Sequence, residues 1–242
     1  MAIMTGRETA GAWWIERHGD AALELRCASE ISPAASARVH AAMAALQAAA
    51  LHAVEELVPG YVSLTVLLRD LPRRERAEAE AAVRGVVARV GEGAAELRTR
   101  IIVVPVAYGG DPGLDLAEVA ARTGLSPEEV IARHAAPTYR VAFIGFLPGF
   151  PYLMGLDPAL HLPRRTTPRT RVPEGSVAIG GAQTGIYPVA SPGGWHVLGR
   201  TAVALFDPLA SSPSLLRAGD RVQFRPVAAS ALASATVEVR DA

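Results

Sequence analysis

Apolar positions in the N-terminal part of the chain follow the spacings of both strands and helices. Four short runs are either alternating or β-branched, which is typical of strands; they are residues 21–26, 55–58, 61–68 and 101–106. Ser32 and Pro33 open an Ala-rich helix that we predict to end near residue 51, and a second helix is predicted over 72–90. Because strands and helices alternate, we predict a small α+β domain over residues 1–107.

The pattern changes after residue 139, where helical periodicity nearly vanishes. Seven short strands separated by Gly and Pro turns are predicted, over 141–146, 175–179, 185–189, 195–198, 202–206, 221–224 and 236–239. A closed barrel leaves no strand edge exposed, so we predict a mostly-β barrel domain over residues 108–242. Two short helices come before these strands, because Asp115 with Glu118 and Ser126 with Glu129 both have capping-box spacing.

Composition argues against several classes of function. The 24 basic residues, all of them Arg, balance 24 acidic ones, so no overall charge attracts nucleic acid or an anionic membrane. Without Lys there is no Schiff base and no phosphate-binding Gly-Lys loop, so we expect any ATP to be bound largely by another chain. The histidine spacing indicates no metal site. A lone Cys27 and the absence of an apolar run of about 18 residues favour a cytoplasmic chain that does not cross a membrane.

A basic loop follows residue 160 and contains His161, Arg164, Arg165, Arg169 and Arg171 between prolines. Guanidinium groups bind carboxylate or phosphate at two points, so this loop could bind a small anionic substrate. A solvated surface loop is the alternative interpretation of such a charged run. Nucleic acid fits less well, because no aromatic residue is interleaved with these arginines to stack on bases.

The glycine-rich stretch from Gly180 presents neutral polar side chains. Gln183, Thr184 and Tyr187 offer donors and acceptors that could polarise an amide carbonyl, although a tight turn between strands would also use this composition. His196 could act as a general base or a neutral donor, or it could be a structural histidine of a strand.

Several aromatic residues could wall a pocket or simply belong to the core; they are Phe146, Phe150, Tyr152 and Trp195. His134 is expected to cap a helix or to bridge the two parts of the chain.

Five motifs together resemble one known family. They are Val-Pro-Val-Ala-Tyr-Gly-Gly at 104–110, Gly-Phe-Leu-Pro-Gly-Phe-Pro-Tyr at 145–152, Pro-Arg-Thr-Arg-Val-Pro at 168–173, Gly-Gly-Ala-Gln-Thr-Gly-Ile-Tyr-Pro at 180–188 and Ser-Pro-Gly-Gly-Trp-His at 191–196. The chain resembles the B-type subunit of bacterial ATP-dependent 5-oxoprolinase. Its wider relatives are allophanate hydrolase subunit 1, the Kip-type inhibitors of a sporulation kinase, and subdomains C and D of the carboxyltransferase module in urea amidolyases.

This resemblance implies a cyclophilin-like barrel and a role inside a complex. A C-type and an A-type subunit would join this chain to hydrolyse 5-oxo-L-proline to L-glutamate with ATP, and the chain would be inactive alone. In this interpretation His196, Gln183 and Tyr187 act on the lactam. The substrate and its carboxylate or phosphate would be bound by Arg169, Arg171, Arg200, Phe150 and Thr184.

Two other functions occur among proteins of this resemblance, and fold alone does not choose between them. The first is inhibition of a sensor histidine kinase through a surface of the barrel. The second is one half of a carboxyltransferase that processes urea or allophanate with biotin; this chain has no Met-Lys-Met site for biotin attachment.

Overall fold

The computed structural model describes residues 8–10, 13–91 and 99–241. Contacts within the chain divide it into two compact units, residues 1–97 and residues 98–242.

The first unit is a five-stranded antiparallel sheet with two helices. Its elements are β1 (Glu8–Ala10), β2 (Trp13–His18), β3 (Ala22–Arg26), α1 (Pro33–Ala49), β4 (Val54–Pro59), β5 (Ser63–Leu68) and α2 (Arg73–Val87), and the strand order is β1-β2-β3-β5-β4. The four predicted elements α1, α2, β3 and β5 are present, as is the short strand β4. Trp13, Ile15, Leu23 and Leu25 alternate inward and pack with the helices in one core.

The second unit contains a closed seven-stranded barrel. Its strands are β6 (Arg100–Tyr108), β7 (Tyr139–Ile144), β8 (Pro151–Met154), β10 (Ser176–Gly180), β11 (Gln183–Ile186), β13 (His196–Arg200) and β14 (Arg221–Pro226). They follow the order β13-β10-β11-β8-β7-β14-β6, and pairing of β13 with β6 closes the ring. The prediction of a barrel is therefore confirmed.

Further elements surround the barrel. Helices α3 (Leu116–Thr123) and α4 (Pro127–Ala135) follow β6. Strand β9 (Arg169–Val172) pairs with β12 (Ser191–Gly193), and β15 (Glu238–Asp241) pairs antiparallel with β6. The capping box of Ser126 and Glu129 is present, with the Glu129 carboxylate accepting from the Ser126 amide at 2.7 Å. Asp115 precedes α3 but makes no capping bond, because its carboxylate binds elsewhere.

The boundary between the two parts lies earlier than the sequence predicts. The sequence pattern assigns the run 101–106 to the first domain, but in the structure this run is part of β6. Strand β6 pairs in parallel with β14, with Ile102 opposite Val222 and Val104 opposite Phe224. This strand belongs to the barrel because its partners come from the far end of the chain, which no local pattern reveals.

Five strands are absent from the prediction, β1 and β2 in the first unit and β8, β9 and β12 in the second, and one predicted strand is wrong. The short strands β8, β9 and β12 contain or adjoin prolines, which mask their extended conformation in the sequence. Residues 202–206 form only one isolated bridge, between Phe206 and Ser214.

Alternation along the barrel strands separates two apolar clusters. Val177 and Ile179 of β10 belong to the larger cluster, which also contains the buried residues of β6 and β14. Ala178, between them, belongs to a smaller aromatic cluster with Phe150, Tyr187, Trp195 and Val197 on the other face. The candidate site lies at this second cluster.

Candidate functional site

A cavity of about 270 Å³ lies where the glycine- and proline-rich motifs of the barrel unit meet. Its lining is largely aromatic and includes one guanidinium; the residues are Phe146, Phe150, Tyr152, Arg164, Pro168, Tyr187, Pro192, Gly193, Gly194 and Trp195. The basic loop contributes Arg164 and Pro168, the glycine-rich stretch contributes Tyr187, and the motif at 191–196 contributes Pro192, Gly193, Gly194 and Trp195 to this one cavity.

The loop between β7 and β8 forms the mouth of the cavity. The Gly145 amide donates to the Phe150 carbonyl at 3.1 Å, and the Phe150 amide donates to the Leu147 carbonyl at 3.0 Å. Gly149 is required here: its φ is +82°, and a Cβ would lie 2.8 Å from the Cβ of Phe206. Phe146 also has a positive φ of 67° and leaves its ring 61% exposed. The tight turn therefore holds an aromatic side chain in solvent at the entrance.

The walls are aromatic rings in edge-to-face contact. The ring of Phe150 lies 5.1 Å from that of Tyr187 and 5.6 Å from that of Trp195, and both pairs are close to perpendicular. Tyr152 meets Trp195 at 5.8 Å in the same manner. Edge-to-face packing favours defined ring orientations, and these rings form the apolar enclosure of the cavity.

Tyr187 adds a polar group to this enclosure. Burial raises the pKa of its phenol, while a backbone hydrogen bond with Trp195 acts in the opposite direction. The hydroxyl consequently stays protonated near neutral pH and can donate a hydrogen bond. Gly193 leaves room for the Tyr187 hydroxyl, because a Cβ at position 193 would collide with it.

The Asp115 carboxylate binds two side chains of the basic loop. This carboxylate, 2% exposed, accepts from Arg169 at 2.6 and 2.7 Å, from Arg165 at 3.0 Å and from the Val197 amide at 2.7 Å. Burial alone would raise the pKa of Asp115, but these hydrogen bonds and the nearby guanidinium charges hold it below its usual value. Arg169 is therefore bound by an internal carboxylate, which favours a supporting role in the loop over the substrate contact predicted from the sequence.

Thr184 faces away from the cavity. Its hydroxyl donates to the Ala178 carbonyl at 3.0 Å and lies 2.9 Å from His134 Nε2, so this nitrogen carries the proton and donates. His134 Nδ1 then accepts from the Tyr108 hydroxyl at 2.8 Å. Burial lowers the pKa of His134 to about 3, so the ring is neutral. Thr184 is thus a buried anchor of α4, and His134 makes these contacts within the second unit.

His196 is also fully buried, and its Nε2 donates to the Pro163 carbonyl at 2.9 Å. His196 lies between Trp195 and Val197, which both belong to the aromatic cluster. Because side chains alternate along an extended chain, His196 faces away from that cluster. The Glu118 carboxylate is 3.9 Å from its other ring nitrogen. These contacts favour a supporting role for His196 instead of the catalytic one expected from sequence.

The remaining predicted residues are dispersed. Gln183 is half-buried and shares one side of β11 with Gly185, whose Cβ position lies 3.0 Å from Phe150, but it does not line the cavity. Arg171 is exposed on β9, on the side opposite the buried Val172. Arg200 donates to the Glu174 carbonyl at 2.8 Å and lines a different cavity of about 400 Å³.

Two residues of the site, Arg164 and Asp115, have roles that the sequence does not predict. The guanidinium carbon of Arg164 lies 5.8 Å from the centre of the Trp195 ring, and Arg164 belongs to the cavity lining. Five basic residues in one loop give no signal of which would face inward.

No three His, Cys, Asp or Glu side chains within the described ranges come together in a way that could hold a metal ion. In the same part of the chain, no helix combines the length and apolar character needed to span a membrane. Cys27 is a buried free thiol of the first unit.

The sequence profile of the family "Carboxyltransferase domain, subdomain C and D" matches residues 13–216. A protein of Bacillus subtilis (strain 168), named as the B-type subunit of 5-oxoprolinase, is 43% identical over 218 residues, which cover 87% of this chain and 91% of that protein. The chain belongs to this carboxyltransferase C and D family. The expected resemblance to the B-type subunit of 5-oxoprolinase is confirmed.

Solved structures extend the comparison. The crystal structure of TTHA0988 is 42% identical, with a TM-score of 0.74 over 85% of this chain and 40% of that chain. The chain thus spans two-fifths of that longer protein. The K. lactis urea amidolyase is 18% identical with a TM-score of 0.74, covering 99% of this chain and 17% of that chain, and shows a shared fold alone.

Proposed function

We propose that this chain is the B-type subunit of an ATP-dependent 5-oxoprolinase that hydrolyses 5-oxo-L-proline to L-glutamate. The observation that carries the proposal is the 43% identity to the B-type 5-oxoprolinase subunit of Bacillus subtilis over 91% of that protein's length. A C-type and an A-type subunit complete the complex in the cytoplasm, and the chain is inactive alone. The barrel is of the cyclophilin-like type, and the first unit is an α+β domain.

In this proposal the aromatic cavity holds the lactam ring. Phe150, Tyr152 and Trp195 enclose its apolar carbons, and the protonated Tyr187 hydroxyl donates to the lactam carbonyl oxygen as charge develops there. The lactam C–N bond breaks as a C–O bond forms to water, whose oxygen enters the new carboxylate and whose two protons pass to the released nitrogen, which becomes an ammonium group. Gln183 does not line the cavity, so we assign the hydrogen bond to the lactam carbonyl to Tyr187 and no direct contact to Gln183.

In this proposal, other subunits bind and hydrolyse the ATP that drives the reaction. A triphosphate requires several cationic or backbone donors, whereas the cavity offers one guanidinium, that of Arg164, among aromatic walls. The cavity does not fit this nucleotide, so we assign no step of ATP chemistry to this chain.

The test is reconstitution of the three subunits with ATP and 5-oxo-L-proline. We expect glutamate to form only when all three subunits are present. Glutamate formation at an unchanged rate without this chain would contradict the proposal. Pulldown with a sensor histidine kinase, followed by an autophosphorylation assay, examines the competing regulatory function; we expect no inhibition.

A pair of matched variants tests the cavity as the site. Tyr187→Phe removes a hydroxyl from the cavity, and Tyr139→Phe removes one that donates to the His134 carbonyl at 2.7 Å in the barrel core. We expect about a tenfold or larger loss of kcat for Tyr187→Phe and little change for Tyr139→Phe beyond reduced stability. Equal turnover of Tyr187→Phe and the wild type would refute the assignment of Tyr187.

A further inference from the structure

Arg164 differs from its neighbours in how its charge is used. Arg165 and Arg169 are bound to the buried carboxylate of Asp115, and Arg200 donates to a backbone carbonyl. Arg164 lies over the face of Trp195 instead, and no carboxylate among the described residues is paired with it. It is the charged residue of the cavity lining.

The backbone on both sides of Arg164 is held in place. The Arg165 amide donates to the Gly194 carbonyl at 2.7 Å, next to Trp195, and an isolated bridge joins Leu162 to Gly181. The side chains of Arg165 and Arg169 anchor the same loop to Asp115. Little ordering is therefore required of the Arg164 backbone when a ligand binds.

The stacked guanidinium remains able to bind an anion. Contact with a ring face restricts the side chain through cation–π attraction, while the N–H groups at the edge of a planar guanidinium stay available for two-point binding of a carboxylate. Arg164 is exposed at the cavity, so its donors can reach a ligand seated against the aromatic walls.

We propose that Arg164 determines specificity by binding the carboxylate of the substrate, so that the cavity selects a small ring bearing one carboxylate over a neutral ring of equal size. This inference rests on the proposed function. The aromatic walls would accept either ring, because they contact its carbons, and the single guanidinium would distinguish the acid. The substrate carboxylate is thus assigned to Arg164 in place of Arg169, Arg171 or Arg200.

The experiment compares two ligands that differ by the carboxylate, 5-oxo-L-proline and 2-pyrrolidinone. Calorimetry on the full chain, alone and in the assembled complex, measures the affinity of each. We expect the wild type to prefer the acid by about 10- to 100-fold, as for hydrogen bonds to a charged group. Arg164→Ala should bring that ratio close to one by weakening the acid, with the neutral lactam unaffected, and Arg164→Lys should recover part of it.

Two further variants separate a local effect from a change in overall charge. Arg217 is an exposed arginine of the same unit that contacts Ser212 and lies outside the cavity lining, so Arg217→Ala should keep the full ratio. Arg171→Ala tests the competing arginine. If Arg171→Ala abolishes the preference and Arg164→Ala keeps it, the proposal is wrong.

The remaining outcomes are also decisive. Wild-type protein that binds neither ligand in either state, or binds both equally, overturns the inference. In the reconstituted reaction we expect Arg164→Ala to raise KM for 5-oxo-L-proline. Normal hydrolysis with an unchanged KM in Arg164→Ala would refute the role of Arg164 and leave the proposed function standing. A complex that distinguishes the two ligands but releases no glutamate would support the role of Arg164 and contradict the proposed function.

Discussion

Replacing Asp115 by Asn should destabilise the barrel unit more than any single exposed charge can. The wild-type carboxylate accepts hydrogen bonds from Arg165, Arg169 and the Val197 amide, with 2% of its side chain exposed. Removing one partner of a buried ion pair costs about 3 to 5 kcal/mol. Because the two arginine side chains keep 24% and 25% of their surface exposed, water can partly solvate them, and we expect the lower limit, about 3 kcal/mol.

The pH dependence of this effect has a defined sign. Since the folded-state pKa of Asp115 is below its usual value of 3.8, the folded protein binds fewer protons than the unfolded chain as pH falls below about 4. The stabilisation is complete above that pH and is lost as pH falls through the folded-state pKa. Asp115→Asn should therefore show a shallower loss of stability on acidification.

Native-state hydrogen exchange is the appropriate assay, because it reports on amides of the barrel unit separately from the rest of the chain. We expect faster exchange of the Val197 amide, which loses its acceptor, and lower protection throughout the barrel strands. Asp207→Asn is the control: this carboxylate is exposed and accepts from the Leu209 amide at 2.9 Å. A loss below about 1 kcal/mol in Asp115→Asn, with Val197 protection unchanged, would refute the reasoning.

Three other substitutions test the cavity and the barrel core. Gly193→Ala places a Cβ against the Tyr187 hydroxyl, so calorimetry should show 5-oxo-L-proline binding weakened at least about tenfold; normal affinity would contradict this geometry. His134→Phe removes a histidine with a folded-state pKa of about 3, so the wild type, unlike the variant, should lose up to about 1.4 kcal/mol per pH unit from this group between pH 6.5 and 3 in urea titrations. Phe146→Gly relieves a positive φ of 67°; urea unfolding should show stability unchanged or raised by up to about 1 kcal/mol, and a large loss would reveal a structural role for the exposed ring.

Strand periodicity explains why two predicted site residues face away from the cavity. Trp195 and Val197 belong to the aromatic cluster, so His196 between them has to face the other way in an extended strand. In β11, Gly185 faces Phe150, so its neighbour Thr184 faces the opposite side of the strand and contacts His134. The chemistry of both residues and their nearness in sequence to the cavity favour ligand contact, but the alternation of the strand overrides both.

By itself, the sequence determined the helices, most strands, the barrel and the family, because these depend on local periodicity, turn chemistry and motifs that can be read without contacts. Tertiary structure alone decided which arginine faces the cavity. Asp115 lies 50 residues from Arg165 and 54 from Arg169, and its burial holds those two guanidiniums in ion pairs while Arg164 reaches Trp195. Long-range charge pairing of this kind depends on which strands become neighbours, and no local pattern encodes it.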